Sequence, residues 1–301
     1  VARFLLRRGD YDIIHGSAGL YTYAKLKRKP MILQVVELWD FPCCEHPNPY
    51  MRIYMYALDY LDAKNAFQKA DRVAAEVEAE AHEICRLYRV PWNKIFYLPP
   101  GVDIEKIKES IRTISITRED IGVADADLVL ICVSRLEPNK GVHILIEALR
   151  ILNRELNVKL ILVGTGSMEP LIKTILNRYK LEDKVRHFKN IPDNILYKLY
   201  DLADLAVLPT LHEGLPTVLL EAMACGKPVI ASKTPEISCI VRDRVNGFLT
   251  RPRDPIDIAR KVLEAYDKGY LRKLSWSAKE YSKAFDWKLL AKKLLKIYNK
   301  L

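Results

Sequence analysis

Two glutamates with seven residues between them, Glu213 and Glu221, stand in the segment Leu205–Ile230, LAVLPTLHEGLPTVLLEAMACGKPVI. The apolar run Leu205–Leu208, closed by Pro209, reads as a buried strand. A loop with His212, Glu213 and Gly214 follows, and Pro216-Thr217 opens a short helix that Gly226 ends. Helical side chains lean toward the helix N-terminus, so Glu221, one turn in, points back at the loop that carries Glu213. The same loop offers backbone amides at Leu215, Thr217 and Val218, interrupted by Pro216, at the positive end of a helix. Carboxylates suit sugar hydroxyls and amides suit phosphate oxygens. The combination points to a sugar-nucleotide site.

Other polar residues fall at corresponding strand ends. Arg135 follows the apolar strand Leu128–Val133, and Lys140 precedes the amphipathic helix Val142–Asn153. Gly164 and Gly166 follow the strand Val158–Val163. In an open parallel sheet, ligands bind beyond the carboxyl ends of the strands. A surface arginine or a lone Gly-x-Gly is ordinarily structural; four such features from separate segments on one sheet edge describe one site.

The elements that must position them alternate strand and helix. Further strands are expected at Tyr11–His15, Met31–Val36, Asp71–Ala74, Lys94–Leu98, Lys184–Phe188 and Phe248–Thr250. Helices are expected at Gly19–Lys29, Met51–Ala70, Glu78–Tyr88, Pro170–Tyr179, Asn194–Leu202, and onward from Ile256, Tyr270 and Asp286. The turn Pro99–Asp103 and the polar stretch up to Asp127 read as the domain boundary. Such repeated units specify a doubly wound α/β fold. At 301 residues the chain has room for two domains. Half of it is hydrophobic, and no apolar run nears the roughly 20 residues of a membrane span. The formal charge of +10 favours an anionic partner, but basic and aromatic residues do not interleave as nucleic-acid binding would ask. The six cysteines show no CxxC spacing; Cys43-Cys44 with His46 are awkward chelators, and Cys132 and Cys225 read as small buried hydrophobes. A reducing cytoplasm fits best.

VSRLEPNKG (Val133–Gly141), LVGTG (Leu162–Gly166), the segment Leu208–Ser232 and NGFL (Asn246–Leu249) resemble family 4, group 1 retaining glycosyltransferases of the GT-B fold. ADRV (Ala70–Val73), LPPGVD (Leu98–Asp103) and FDW (Phe285–Trp287) extend the resemblance over the whole chain. It implies an α/β architecture of two Rossmann-like domains facing a cleft. Residues 1–104 would form an incomplete acceptor-side domain and 105–285 the nucleotide-sugar domain. Residues 286–301 would be a C-terminal helix returning toward the first domain.

The resemblance also implies roles. Arg135 and Lys140 would clamp the donor diphosphate, Glu213 would face the sugar, and Glu221 would hold the ribose hydroxyls. Gly164 and Gly166 would approach the donor, and amides of Gly214, Leu215 and Thr217, with Pro216 between them, would meet sugar and phosphate. Arg186–Ile191, His187 and Phe188 included, would lie near the base. Transfer of a hexose to a hydroxyl, with retention, would need no metal or other cofactor. The acceptor would be a glycan, a polysaccharide or a lipid-linked precursor of a cell-envelope glycan.

The chain departs from the family pattern in four ways. Measured against that pattern, it would enter about halfway through the first domain. Val36-Glu37 stands where many members carry histidine, so Glu37 becomes an acceptor-side candidate or a cap. The loop Ser232–Glu236 is short and lacks paired glycines, and Lys189 replaces a usual glycine. The basic run Lys25–Lys29 could rest on a membrane or be a solvated helix end. The early entry keeps a second reading open: a nucleotide-sugar-binding protein or partner subunit without turnover.

Overall fold

The computed structural model describes residues 12–17, 30–34, 60–61, 63–266 and 268–301. Glu37, Cys43-Cys44, His46, the basic run Lys25–Lys29 and the expected helix Gly19–Lys29 lie outside these residues, as do 51–59 of the expected helix Met51–Ala70. Two compact units share the chain: Val1–Pro100 with Leu290–Leu301, and Gly101–Leu289.

The first unit is a parallel sheet of β1 (Ile14–Ser17), β2 (Met31–Gln34), β3 (Arg72–Ala75) and β4 (Ile95–Tyr97), in that order. Strand residues alternate between its faces. Met31, Leu33, Val73 and Ala75 pack with Phe67 of helix α1 (63–69) and with Ile84 and Tyr88 of α2 (Glu78–Tyr88). Ile32 and Ala74 take the other side, with Leu98, Leu290, Leu294 and Ile297. Tyr298 hydroxyl lies 2.6 Å from His15 Nδ1 across that packing.

The second unit is a six-stranded parallel sheet. Its strands are β5 (Leu128–Val133), β6 (Val158–Val163), β7 (Val185–Phe188), β8 (Leu205–Leu208), β9 (Val229–Ser232) and β10 (Gly247–Thr250). They run in the order β10-β9-β8-β5-β6-β7. The continuous apolar strands follow from burial on both faces. Val129 and Ile131 enter one core with α3 (Ile104–Thr113), α6 (Asp193–Leu202) and α7 (Thr217–Ala224). Leu128, Leu130 and Cys132 enter the other with α4 (Val142–Leu152), α5 (Glu169–Tyr179) and α9 (Pro255–Ala265). Each such leucine or isoleucine contributes roughly 1.5–3 kcal/mol on burial. From β5 the chain winds one way through β6 and β7, and from β8 the other way through β9 and β10. The switch point lies between β5 and β8, and in sheets of this kind ligands bind there, beyond the strands' carboxyl ends.

Two stretches carry helices beyond those expected. The polar segment after Asp103 is no linker: Asp103 caps α3 by accepting from Lys106 N at 3.0 Å, and Ile104 and Ile107 are buried in the second unit's core. Polarity on the helix's outer face masked that apolar stripe. Likewise the segment Ser232–Glu236 runs into a short helix, α8 (Pro235–Ile240), capped by Thr234 and started by a proline at its first position. The chain continues through α10 (Lys268–Ser282) and α11 (Trp287–Tyr298). Among the described residues, no helix is long and apolar enough to cross a membrane.

Candidate active site

The loops after β5, β6 and β7 are zipped together by backbone bonds. Ser134 N donates to Val163 O at 3.1 Å, Leu136 N to Thr165 O at 2.8 Å, and Gly164 N to Phe188 O at 2.9 Å. This closeness is what requires glycine. Gly164 has φ +137°, and a Cβ there would run into Ser134 O; at Gly166 it would run into Leu136 O. Gly164→Ala is therefore expected to cost roughly 2–4 kcal/mol, read as a fall in Tm of the whole chain, because strain and collision add. An unchanged Tm would show that the loop can open without loss.

Lys140 ends a short 3₁₀ turn, Pro138–Lys140, and the chain then passes through Gly141 in the left-handed region (φ +66°). Gly141 presses on Pro209 O at the end of β8. Leu211 N donates to Asn139 O at 2.7 Å, fixing the β8 loop to the same turn. The Lys140 ammonium consequently meets the Glu213 carboxylate in a direct ion pair, with side chains only 9% and 19% exposed. The fully buried Thr210 hydroxyl lies 3.1 Å from the same carboxylate oxygen and 2.9 Å from His212 O. These three groups sit at the switch point.

Arg135, by contrast, is exposed and forms no hydrogen bond or ion pair among the described residues. It lies close enough to Glu137 to help hold that carboxyl below its ordinary range, behind the larger effect of Ser167, whose hydroxyl donates to it at 2.5 Å. The amides of Gly214, Leu215, Thr217 and Val218 donate no hydrogen bond among the described residues. Leu215 and Val218 pack on the core while Thr217 stays exposed, and Pro216 is buried. The loop is thus anchored on one side and presents donors on the other.

Glu221 does not join the Lys140–Glu213 pair. It is half-buried on α7, and its charged neighbours are Asp193, at the start of α6, and Lys106 of α3. Lys106 Nζ pairs with Asp193 at 2.6 Å. Burial raises the Glu221 carboxyl above the usual carboxylate range, and the Asp193 charge adds to this while Lys106 opposes it. Lys106 and Asp193 were missed in the sequence because α3 was; Asp103 followed by Ile104, Ile107 and Ile111 was the signal.

A raised carboxyl pKa means that the folded chain holds the proton more tightly than the unfolded one. The associated stability is full below the unfolded value and is lost as pH rises through the folded value. At neutral pH an ionised Glu221 therefore costs stability. Glu221→Gln is expected to raise Tm by roughly 2–4 °C at neutral pH and less in acid. An equal shift across the pH range would contradict this linkage.

The remaining predicted positions lie around β7. His187 is exposed, with Nε2 2.8 Å from Gly164 O, and Phe188 leans on the core. Arg186 turns away to Ile121 O (3.1 Å) and Gly122 O (3.3 Å), so its guanidinium ties down the loop before β5. Lys189 pairs with Glu169 at 2.7 Å beside a cavity of about 630 Å³ floored by Leu162, Ile172 and Leu176. Among the described residues, no group of three His, Cys, Asp or Glu side chains is placed to hold a metal ion.

Comparison with known proteins fits this geometry. Residues 113–285 match the family described as glycosyl transferases group 1, and residues 1–106 match glycosyltransferase family 4. A D-inositol 3-phosphate glycosyltransferase of Kribbella flavida is 31% identical over 96% of this chain and 71% of its own length. One of the same description from Geodermatophilus obscurus is 29% identical over 96% of this chain and 66% of its own. An uncharacterized glycosyltransferase of Methanocaldococcus jannaschii is 30% identical over 81% and 63%. The chain thus spans about two thirds of the length of these relatives. Anabaena HepE, solved in complex with UDP, superposes with a TM-score of 0.83 at 24% identity, over 100% of this chain and 82% of HepE. Sucrose-phosphate synthase of Thermosynechococcus elongatus superposes at 0.79 and 20% identity, over 99% and 76%. With an α/β unit of parallel strands in each half, its zipped glycine loops and its Lys140–Glu213 pair, the chain belongs to the group 1 glycosyl transferases and has their GT-B fold.

Proposed function

We propose that this protein transfers a hexose, with retention of configuration, from a nucleotide diphosphate sugar to an acceptor hydroxyl. The observation that carries the reading is the Lys140–Glu213 pair at the switch point, with Arg135 exposed at the end of the neighbouring strand β5 and without an ion-pair partner among the described residues. A donor diphosphate seated over the free loop amides would meet Arg135 and draw the Lys140 ammonium to its oxygens. Cationic side chains then take the role a metal ion plays elsewhere, stabilising charge on the departing diphosphate. Glu213 would turn to the sugar hydroxyls and Glu221 to the ribose. The C1–O bond to the diphosphate breaks, the acceptor oxygen bonds to C1 on the same face, and its proton passes to a phosphate oxygen of the leaving group.

The structures of HepE hold UDP and UDP-glucose, which makes UDP-glucose the first donor to test. The relatives' names make a polyol phosphate the first acceptor. Proton NMR of the product reads the anomeric outcome directly. An α-linked product from the α-linked donor is expected. A β-linked product would contradict retention. Tight nucleotide-sugar binding with no transfer to any hydroxyl acceptor would favour a binding protein or partner subunit.

A further inference from the structure

The charge of this chain is unevenly spread. Residues 270–301 hold nine lysines and arginines against two acids, Glu280 and Asp286, so this last tenth supplies most of the net +10. Within it, α11 and the residues after it carry Lys288, Lys292, Lys293, Lys296 and Lys300 with no acid at all. A helix repeats every 3.6 residues, so Lys288, Lys292 and Lys296 form one row, opposite the side on which Leu290, Leu294 and Ile297 pack. All five lysines are exposed, and none has a carboxylate partner among the described residues. Leu295 (56% exposed) and Leu289 (40%) flank that row. A face that only needed solvation would mix charge signs and leave large apolar side chains out.

We propose that the outer face of α11 docks on an anionic lipid bilayer. Lysines there would meet headgroup phosphates, while Leu289 and Leu295 enter the boundary below them. The lysine spacing alone would suit any polyphosphate. The leucines between the lysines are what favour a bilayer, because a nucleic-acid backbone offers them nothing apolar. At 12 residues the helix is too short to span a bilayer and would lie along its surface. This docking is independent of the donor chemistry, so either can fail alone.

Co-sedimentation of the 301-residue chain with vesicles tests it, using phosphatidylcholine with and without phosphatidylglycerol, at low and high salt. Binding is expected only with phosphatidylglycerol and should weaken in high salt. The triple variant Lys288→Gln/Lys292→Gln/Lys296→Gln should bind about tenfold more weakly or worse. Leu295→Ser should lower binding in high salt, where the charges are screened. Equal binding to both vesicle types, triple-variant binding equal to the parent's, or stronger retention on single-stranded RNA than on phosphatidylglycerol would overturn the proposal. Should the triple variant fail to fold by circular dichroism, the parent's lipid preference and salt response decide.

Discussion

Lys140→Ala is expected to lower both stability and turnover. Its ammonium is buried against Glu213, and removing one partner leaves a desolvated carboxylate beside Thr210. Breaking such a pair should destabilise the chain by roughly 2–4 kcal/mol, less than for a fully buried pair because Glu213 retains some solvent access. The same ammonium is held at the switch point, so kcat/KM should fall by about 10²–10³-fold. A double-mutant cycle with Glu213→Ala separates the two effects. The double variant should be more stable than the summed single losses imply, with a coupling of at least about 1 kcal/mol in thermal or denaturant unfolding. Additive losses would mean that the pair contributes nothing as a pair.

Arg135→Ala, unlike Lys140→Ala, should leave stability unchanged. The side chain is exposed and has no partner among the described residues, so its loss should leave unfolding free energy within about 0.5 kcal/mol of the parent. Its contribution arises only when an anion is bound. A charge-assisted contact to a diphosphate contributes on the order of 1.5–3 kcal/mol, which predicts donor affinity weakened by about 10–150-fold. Arg135→Lys should recover only part of that, since a point charge replaces a planar fork of donors. Titration of the nucleotide diphosphate into each variant reads the affinities. Undiminished affinity in Arg135→Ala would remove this residue from the site.

The contrast between these two cations was not legible in the sequence. Both were read as diphosphate contacts, because type and strand-end position are all that a sequence offers. That Lys140 reaches Glu213, 73 positions later, follows from β8 lying beside β5, a strand order that the alternation of elements does not specify. Strands such as Leu128–Val133 and Val158–Val163 could be read to the residue because burial on both faces demands an unbroken apolar run. The glycines after β6 were equally plain, though their reason, the approach of Ser134 O and Leu136 O, was not. Where the outer face of a helix is strongly polar, as in α3, the apolar stripe was overlooked, and Lys106 and its partner Asp193 went with it. Lys189, read only as a departure from glycine, is held by Glu169.

The central claim is that the second unit binds a nucleotide diphosphate through residues at the carboxyl edge of its sheet. Calorimetric titration of UDP, GDP and ADP into the 301-residue chain, beside Arg135→Ala and Glu221→Ala, tests it most directly. One nucleotide is predicted to bind in the micromolar range, with both substitutions weakening it strongly: Arg135 through the diphosphate, Glu221 through the ribose. A folded chain that binds none of the three, or variants that bind as the parent does, would contradict the account.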